Sequence, residues 1–196
     1  FFDGVTGWNL RQNASKFPQA ARGAVAQAFA VIYAQDLEHY GDPVHYIDTA
    51  KILRVVAKAA QGQRVYVKAH PAQGAAMAQV IASEVARFGN LEITAASIHD
   101  LTAVSAVVVT QNSAAGFEAL MQRKPVITCA DCDYHHATLV ARKPKALEEA
   151  LQAAGTWAAG VEFEKYLYWF LGQQMLEPSK PEFEDRAWTR LAAVQG

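Results

Sequence analysis

The sequence predicts an α/β fold, a Rossmann-like parallel sheet with helices on both faces. From residue 29 onward, short apolar runs alternate with longer segments of helical periodicity, an order that is typical of parallel sheets. Two of the apolar runs, AVVVT (106–110) and PVITC (125–129), contain no charged residue, which suits strands buried on both faces. We therefore expect one sheet of about five strands.

Strands and helices can be assigned in order along this unit. The predicted strands are FAVIYA, RVYVKA, LEITAA, AVVVT and PVITCA. Helices are predicted near 48–60, 73–88, 99–105 and 114–122. Gly89-Asn90 and Arg123-Lys124-Pro125 provide the breaks between a helix and the strand that follows it.

Two segments flank the Rossmann-like domain, which we place at 29–160. Residues 1–28 are interpreted as a lead-in or the remnant of a preceding domain, and 161–196 as C-terminal helices. Apolar residues recur at helical spacing between Phe163 and Gln174, which predicts a helix packed into the core, or alternatively one that spans to another domain. The segment PEFEDRAWTRLAAV then begins a second helix with proline and acids in its first turn.

Composition excludes several classes of protein. The 196 residues carry a net charge of −1, so there is no basic field for binding nucleic acid. Two cysteines argue against a secreted disulfide scaffold, and no apolar stretch approaches the roughly 20 residues that cross a bilayer. The chain begins with Phe1 and has no signal peptide pattern, so we interpret it as part of a longer, cytoplasmic polypeptide.

Polar residues follow four of the predicted strands. Ligands of open parallel sheets bind beyond the carboxyl ends of the strands, so these residues are expected to converge on one ligand. They are Gln35-Asp36 with the loop to Asp42, then His70-Pro71, Asn112-Ser113, and Asp131 to His136.

The junction from Asn112 to Gly116 has the features of an anion site. A helix that begins at Ala114 presents backbone N–H groups, Ser113 adds a hydroxyl, and Gly116 leaves room for a phosphate. Side chains tilt toward the start of a helix, so Glu118 is expected to face a ribose above the first turn. The alternative is that Ser113 only caps the helix and Glu118 is a favourable acid near its start.

His70 strengthens the phosphate hypothesis. A histidine held by Pro71 at the end of a strand could donate to a phosphate oxygen or protonate a phosphate leaving group. The alternative for a lone loop histidine is a solvated side chain.

Other motifs give weaker indications of function. Cys129-x-x-Cys132 lacks two further ligands at a familiar spacing, so no metal is expected. Asp133, Tyr134 and His135 are interpreted as loop residues over the ligand edge. The G-x-S-x-G, G-x-x-x-x-G-K-[ST] and G-x-G-x-x-G motifs are absent, which disfavours hydrolase, kinase and nicotinamide functions.

Taken in order, these segments resemble a known family. The acidic loop after a strand that ends in Gln, then VYVKAHP, HDLTAVSAVVVTQNSAAGFEALMQRKPVITCA and DYHHATL resemble the C-terminal, donor-binding half of the capsule polysaccharide biosynthesis proteins. These are retaining β-Kdo transferases of bacterial surface polysaccharide synthesis that use CMP-Kdo and have the GT-B fold. Bacterial sialyltransferases have a similar His-Pro and Ser pair, which contacts the phosphate of CMP-sialic acid.

The resemblance implies a role for each site residue. His70, with Pro71, and Ser113 would hold the CMP phosphate, Asn112 and Gly116 would shape the pocket, and Glu118 would face the ribose. A carboxylate after the first strand would be the nucleophile, and Asp42 is preferred over Asp36.

The same resemblance implies the partners and the setting. The donor would bind without a cofactor or metal, and the acceptor would be a glycan or glycolipid. The protein would be cytoplasmic, with peripheral association with capsule machinery at the inner face of the inner membrane. The alternatives are a nucleotide-sugar epimerase of GT-B-like fold, and a non-catalytic nucleotide-sugar-binding or assembly module.

Overall fold

The computed structural model of the chain describes residues 25–38, 44–176, 178 and 181–194. Within these residues, six strands form one sheet, and all neighbouring strands run parallel. The strands are β1 (Ala28–Ala34), β2 (Val65–Ala69), β3 (Leu91–Ile93), β4 (Ser105–Thr110), β5 (Val126–Thr128) and β6 (Leu139–Val140). Their order across the sheet is β3-β2-β1-β4-β5-β6, so the predicted Rossmann-like fold is confirmed.

Helices connect the strands and complete the chain. The α-helices are α1 (Thr49–Ala59), α2 (Ala75–Arg87), α3 (Ile98–Val104), α4 (Ala114–Leu120), α5 (Pro144–Ala159), α6 (Phe163–Leu167) and α7 (Phe183–Val194). A 3-10 turn covers His135–Ala137, and a π-helix covers Tyr168–Gln174. Among the helices described, none is long and apolar enough to cross a bilayer.

The central strands of the sheet are buried on both faces, because successive strand residues point in opposite directions and helices cover both sides. In β1, Ile32 packs into a core with α1, α2 and α5, while Val31 and Tyr33 pack into a second core with α3, α4 and α6. Val31 and Ile32 are 0% and 1% exposed. Because such strands need apolar side chains on both faces, they appear in the sequence as continuous apolar runs.

Two elements were not expected from the sequence. Strand β6 has two residues, which is too short for a pattern, and it is defined by the pairing of Leu139 with Ile127 of β5. Helix α5 is rich in alanine, and it buries Leu147 and Leu151 against the sheet. Strand β6 depends on its pairing with β5, whereas α5 has helix signals in its own sequence, with Pro144 at its start and Gly160 after its end.

The C-terminal aromatic segment is core only in part. Phe163, Leu167 and Phe170 are buried, as the core interpretation predicts, while Tyr168 and Trp169 are 53% and 41% exposed. The helix widens from α to π at Tyr168, so the predicted 3.6-residue period does not hold along the whole segment. Residues 1–24 of the predicted lead-in lie outside the described part of the chain.

We expect the β1 core to be sensitive to truncation. Ile32→Ala should lower the free energy of unfolding by about 2–5 kcal/mol, because it opens a cavity at a residue that is 1% exposed. Ile93→Ala in β3 is the matched control, since Ile93 is 51% exposed, and its effect should stay below about 1 kcal/mol. Urea denaturation measures both, and equal losses would contradict this account of the core.

Candidate functional site

The candidate site lies at the carboxyl edge of the sheet, where the strand order reverses. β1 has β2 on one side and β4 on the other, so the connections leave the two central strands in opposite directions. Ligands of doubly wound folds bind in the crevice that opens there. Gln35 and Asp36 follow β1, His70 follows β2, and Asn112 and Ser113 follow β4, so the structure brings these predicted residues to three adjacent strand ends.

Gln35 and Asn112 join the two central strand ends directly. The backbone N–H of Asn112 donates to Oε1 of Gln35 at 2.9 Å, and Nε2 of Gln35 donates to Oδ1 of Asn112 at 3.1 Å. Nδ2 of Asn112 also donates to the carbonyl oxygen of Asp131, beyond β5, at 3.1 Å. Asn112 thus ties together the ends of three strands, which holds this side chain in one orientation.

Ser113 caps helix α4. Its Oγ accepts from the backbone N–H of Ala115 at 3.2 Å, and its own N–H donates to Oγ1 of Thr110 at 3.3 Å. The capping role that the sequence left as an alternative is therefore present. A hydroxyl that accepts one hydrogen bond still has a proton to donate, so capping and ligand binding are compatible.

Gly116 is small for a reason that the sequence did not reveal. A Cβ at this position would lie 2.7 Å from the Tyr134 hydroxyl and 3.0 Å from Cγ2 of Thr110. The Tyr134 hydroxyl donates to the carbonyl oxygen of Ser113 at 2.5 Å. The space beside Gly116 is thus filled by Tyr134 rather than left open for a phosphate, and a contribution of Gly116 to donor binding stays a prediction.

The burial of Tyr134 corrects the interpretation of 133–135 as loop residues over the ligand edge. It is 3% exposed and belongs to the core beneath α4, where burial raises the pKa of its hydroxyl well above the usual range. No sequence signal predicts this, because the contact forms when the segment after β5 returns beneath α4. Asp133 and His135, in contrast, are exposed.

His70 is exposed, and a backbone contact fixes its ring. Nδ1 accepts a hydrogen bond from the N–H of Ala72 at 3.1 Å. The proton of the neutral imidazole is then on Nε2, which is the nitrogen available to donate to an anion. Pro71 is exposed beside it.

The acidic residues that follow β1 have different surroundings. Oδ2 of Asp36 accepts from the N–H of Gly74 at the start of α2, at 3.2 Å. Oε1 of Glu38 accepts from the N–H of Thr49 at the start of α1, at 2.5 Å. Asp42, the preferred nucleophile, lies outside the described residues. A carboxylate at a helix start is stabilised in its charged form by the helix dipole, so Asp36 and Glu38 both have a structural role.

Gln111 forms a clasp that joins Glu38 to Ile47. Its Nε2 donates to the carbonyl oxygen of Ile47 at 3.1 Å and to Oε1 of Glu38 at 3.3 Å. Gln111 is 2% exposed, so these are buried contacts that water does not replace. Sequence reasoning missed Gln111, because a glutamine after a strand gives no sign of the partners it will meet.

Glu118 lies on the side of α4 that faces α3. Its Oε2 is 3.6 Å from Nε2 of His99, and its side chain is 23% exposed. Next to this pair, the Tyr33 hydroxyl donates to the carbonyl oxygen of Ile98 at 2.7 Å, and burial raises the pKa of that hydroxyl. The structure therefore places Glu118 beside a buried polar cluster, and its contact with a ribose stays a prediction.

The two cysteines have different environments. Cys129 is fully buried, and burial raises the pKa of its thiol to about 12, while Cys132 is half-buried. His135 does not turn toward them as a ligand, since its Nδ1 contacts the Cys132 carbonyl oxygen at 2.7 Å and its ring stacks on His136. Among the described residues, no group of three or more potential ligands could hold a metal.

A depression of about 510 Å³ lies at the opposite, amino edge of the sheet. It is lined by turns around Arg64, Asn90 and Glu92, of which Arg64 pairs with Glu92 at 3.0 Å. The amide of Asn90 donates to two backbone carbonyl oxygens. The side chains of Arg64, Asn90 and Glu92 are thus already paired within the fold.

We expect Gly116→Ala to destabilise the protein by about 1–3 kcal/mol, because the new methyl overlaps the Tyr134 hydroxyl. Gly155→Ala on α5 is the matched control. Nothing lies within 4 Å of its added Cβ, so that variant should be neutral or slightly stabilising. Adding Tyr134→Phe to Gly116→Ala should recover part of the loss. Urea denaturation of the four proteins tests this, and an unchanged stability of Gly116→Ala would show the contact to be wrong.

Gln111→Leu should reduce the free energy of unfolding by about 1–3 kcal/mol, since the Ile47 carbonyl oxygen loses a buried donor. Gln152→Leu, at an exposed position on α5, should change stability by less than about 0.5 kcal/mol. Thermal and chemical denaturation of both variants would decide the matter. Similar values for the two would mean that the clasp has no energetic role.

Comparison with known structures shows the same fold in other proteins. The UDP-GlcNAc 2-epimerase from Neisseria meningitidis matches 81% of this chain and 46% of its own, with 14% identity and a TM-score of 0.53. The UDP-GlcNAc 2-epimerase from Methanocaldococcus jannaschii matches 79% of this chain and 46% of its own, with 13% identity and a TM-score of 0.50. These likenesses show the fold alone.

A third structure is that of a Kdo transferase. The KpsC beta Kdo 2,7 transferase from Thermosulfurimonas dismutans matches 78% of this chain and 52% of its own, with 17% identity and a TM-score of 0.47. The chain thus spans about half the length of the solved structures that it matches. Comparison with curated protein sequences found no match.

The sequence profile of one family, described as "Capsule polysaccharide biosynthesis protein", matches residues 38–147. This range is more than half of the chain, and it contains the helix starts and strand ends of the candidate site from Glu38 to Glu118. The chain therefore belongs to the capsule polysaccharide biosynthesis protein family.

Proposed function

We propose that this chain is the donor-binding part of a glycosyltransferase of capsule or surface polysaccharide synthesis, and that its donor is a CMP-activated sugar, CMP-Kdo. The observation that carries the proposal is that His70, after β2, and Asn112 and Ser113, after β4, lie at the same edge of the sheet on either side of β1, in a chain of this family. His70 offers an Nε2–H donor, Ser113 a hydroxyl, and the Asn112 side chain is locked by Gln35. Such donors suit a phosphate group.

The proposed chemistry is a double displacement with retention. A carboxylate, Asp42 or Asp36, attacks the anomeric carbon, the bond from that carbon to the phosphate oxygen breaks, and CMP leaves. An acceptor hydroxyl then attacks the sugar on the enzyme, loses its proton to a base, and frees the carboxylate. His70 would stabilise the charge that develops on the leaving phosphate.

Metal independence follows from the leaving group. CMP carries one phosphate, whose charge can be met by a histidine, a hydroxyl and backbone N–H groups. We therefore propose that no divalent ion is needed. The acceptor would be a glycan or glycolipid, and the protein would act in the cytoplasm, at the inner face of the membrane where a growing polysaccharide is held.

Calorimetry with CMP, UDP and CMP-Kdo tests the proposal, and the wild type should prefer CMP over UDP with or without EDTA. His70→Ala and Ser113→Ala should each weaken CMP binding by about 10–100-fold, because each removes a hydrogen bond to a charged group. Ser83→Ala, at an exposed serine of α2, is the matched control and should bind as the wild type does.

Three results would contradict the proposal. Preference for UDP would favour a nucleotide-sugar epimerase of the same fold. Concentration-dependent self-association without any nucleotide affinity would favour an assembly module. CMP binding that is unaffected by both His70→Ala and Ser113→Ala would place the nucleotide elsewhere.

A further inference from the structure

His99 lies against the carboxylate that is predicted to face the ribose. Nε2 of His99 is 3.6 Å from Oε2 of Glu118, and the His99 side chain is only 6% exposed. His99 is the second residue of α3, whereas Glu118 lies one turn inside α4, so the pair joins two helices on the same face of the sheet. Because little water reaches His99, the electrostatic interaction between the two side chains is weakly screened.

Gln122 fixes the His99 ring from its other side. Nε2 of Gln122 is 3.4 Å from Nδ1 of His99 and 3.4 Å from the His99 carbonyl oxygen. An amide nitrogen only donates, so Nδ1 is the acceptor and the proton of the neutral imidazole is on Nε2. The N–H of the neutral ring is therefore on the nitrogen that lies 3.6 Å from the Glu118 carboxylate.

The start of α3 is itself anchored. Oγ of Ser97 accepts from the backbone N–H of His99 at 3.2 Å, and the carbonyl oxygen of Ile98 accepts from the Tyr33 hydroxyl at 2.7 Å. Tyr33 belongs to β1, the central strand of the sheet. The sheet thus fixes the position of His99 through Tyr33, and His99 in turn lies against Glu118 on α4.

We propose that His99 is a positioning residue that holds the Glu118 carboxylate in the orientation in which it accepts hydrogen bonds from the ribose hydroxyls of the bound nucleotide. This inference rests on the proposed function. A carboxylate has two oxygens and about four acceptor directions, so it can accept from more than one donor at a time. His99 is buried and acts through Glu118 without touching the nucleotide.

The test compares two ligands and three proteins. CMP has the 2′ and 3′ hydroxyls, and 2′,3′-dideoxy-CMP has neither, so the ratio of their dissociation constants isolates the diol contact. The wild type should bind CMP more tightly than the dideoxy nucleotide. His99→Leu should weaken CMP binding by about tenfold and leave the dideoxy nucleotide nearly unchanged, since only the diol contact depends on Glu118.

Conservative replacement completes the test. His99→Gln keeps an N–H near the position of Nε2 and should restore most of the CMP affinity. If His99→Leu does not fold, Gln122→Met should give a weaker form of the same selective loss. Equal losses for the two nucleotides, or no loss for either, would overturn the inference while leaving CMP binding established. Absence of CMP binding by the wild type would instead overturn the proposed function, and this inference with it.

Discussion

The parallel pairing of β1 with β4 is the constraint on which the rest of the structure depends. The two strands are far apart in the chain, and their register, with Tyr33 opposite Thr110, brings Gln35 and Asn112 together at the same edge. A slip of one residue would turn every side chain of β4 to the other face of the sheet. The hydrogen bond from the Thr110 hydroxyl to the Tyr33 carbonyl oxygen and the one between Gln35 and Asn112 form only in the observed register, so the register also sets the geometry of the candidate site.

Several residues of the candidate site make hydrogen bonds that hold the fold together. Ser113 caps α4, Asp36 accepts from the start of α2, and Asn112 bridges three strand ends. Each side chain therefore has a fixed orientation without a ligand. Binding a ligand to such a site requires less ordering of side chains, which favours affinity and catalysis.

The fold alone does not select a reaction. Epimerases that act on UDP sugars share this arrangement of strands and helices, at 13–14% identity. Unrelated reactions recur on one fold because the chemistry depends on a few side chains at the strand ends. For this chain, family membership and the placement of His70, Asn112 and Ser113 carry the functional argument.

The sequence by itself determined the fold class, five of the six strands that the structure describes and the strand ends at which polar residues converge, because these follow from local hydrophobic periodicity. It also located Ser113 at a helix start, where capping depends on neighbours in the chain. Only the tertiary structure decided that Tyr134 fills the space beside Gly116, that Gln111 clasps Glu38 to Ile47, and that His99 faces Glu118. Those contacts join residues on separate elements, and their partners are set by how the helices pack on the sheet, which local sequence does not encode.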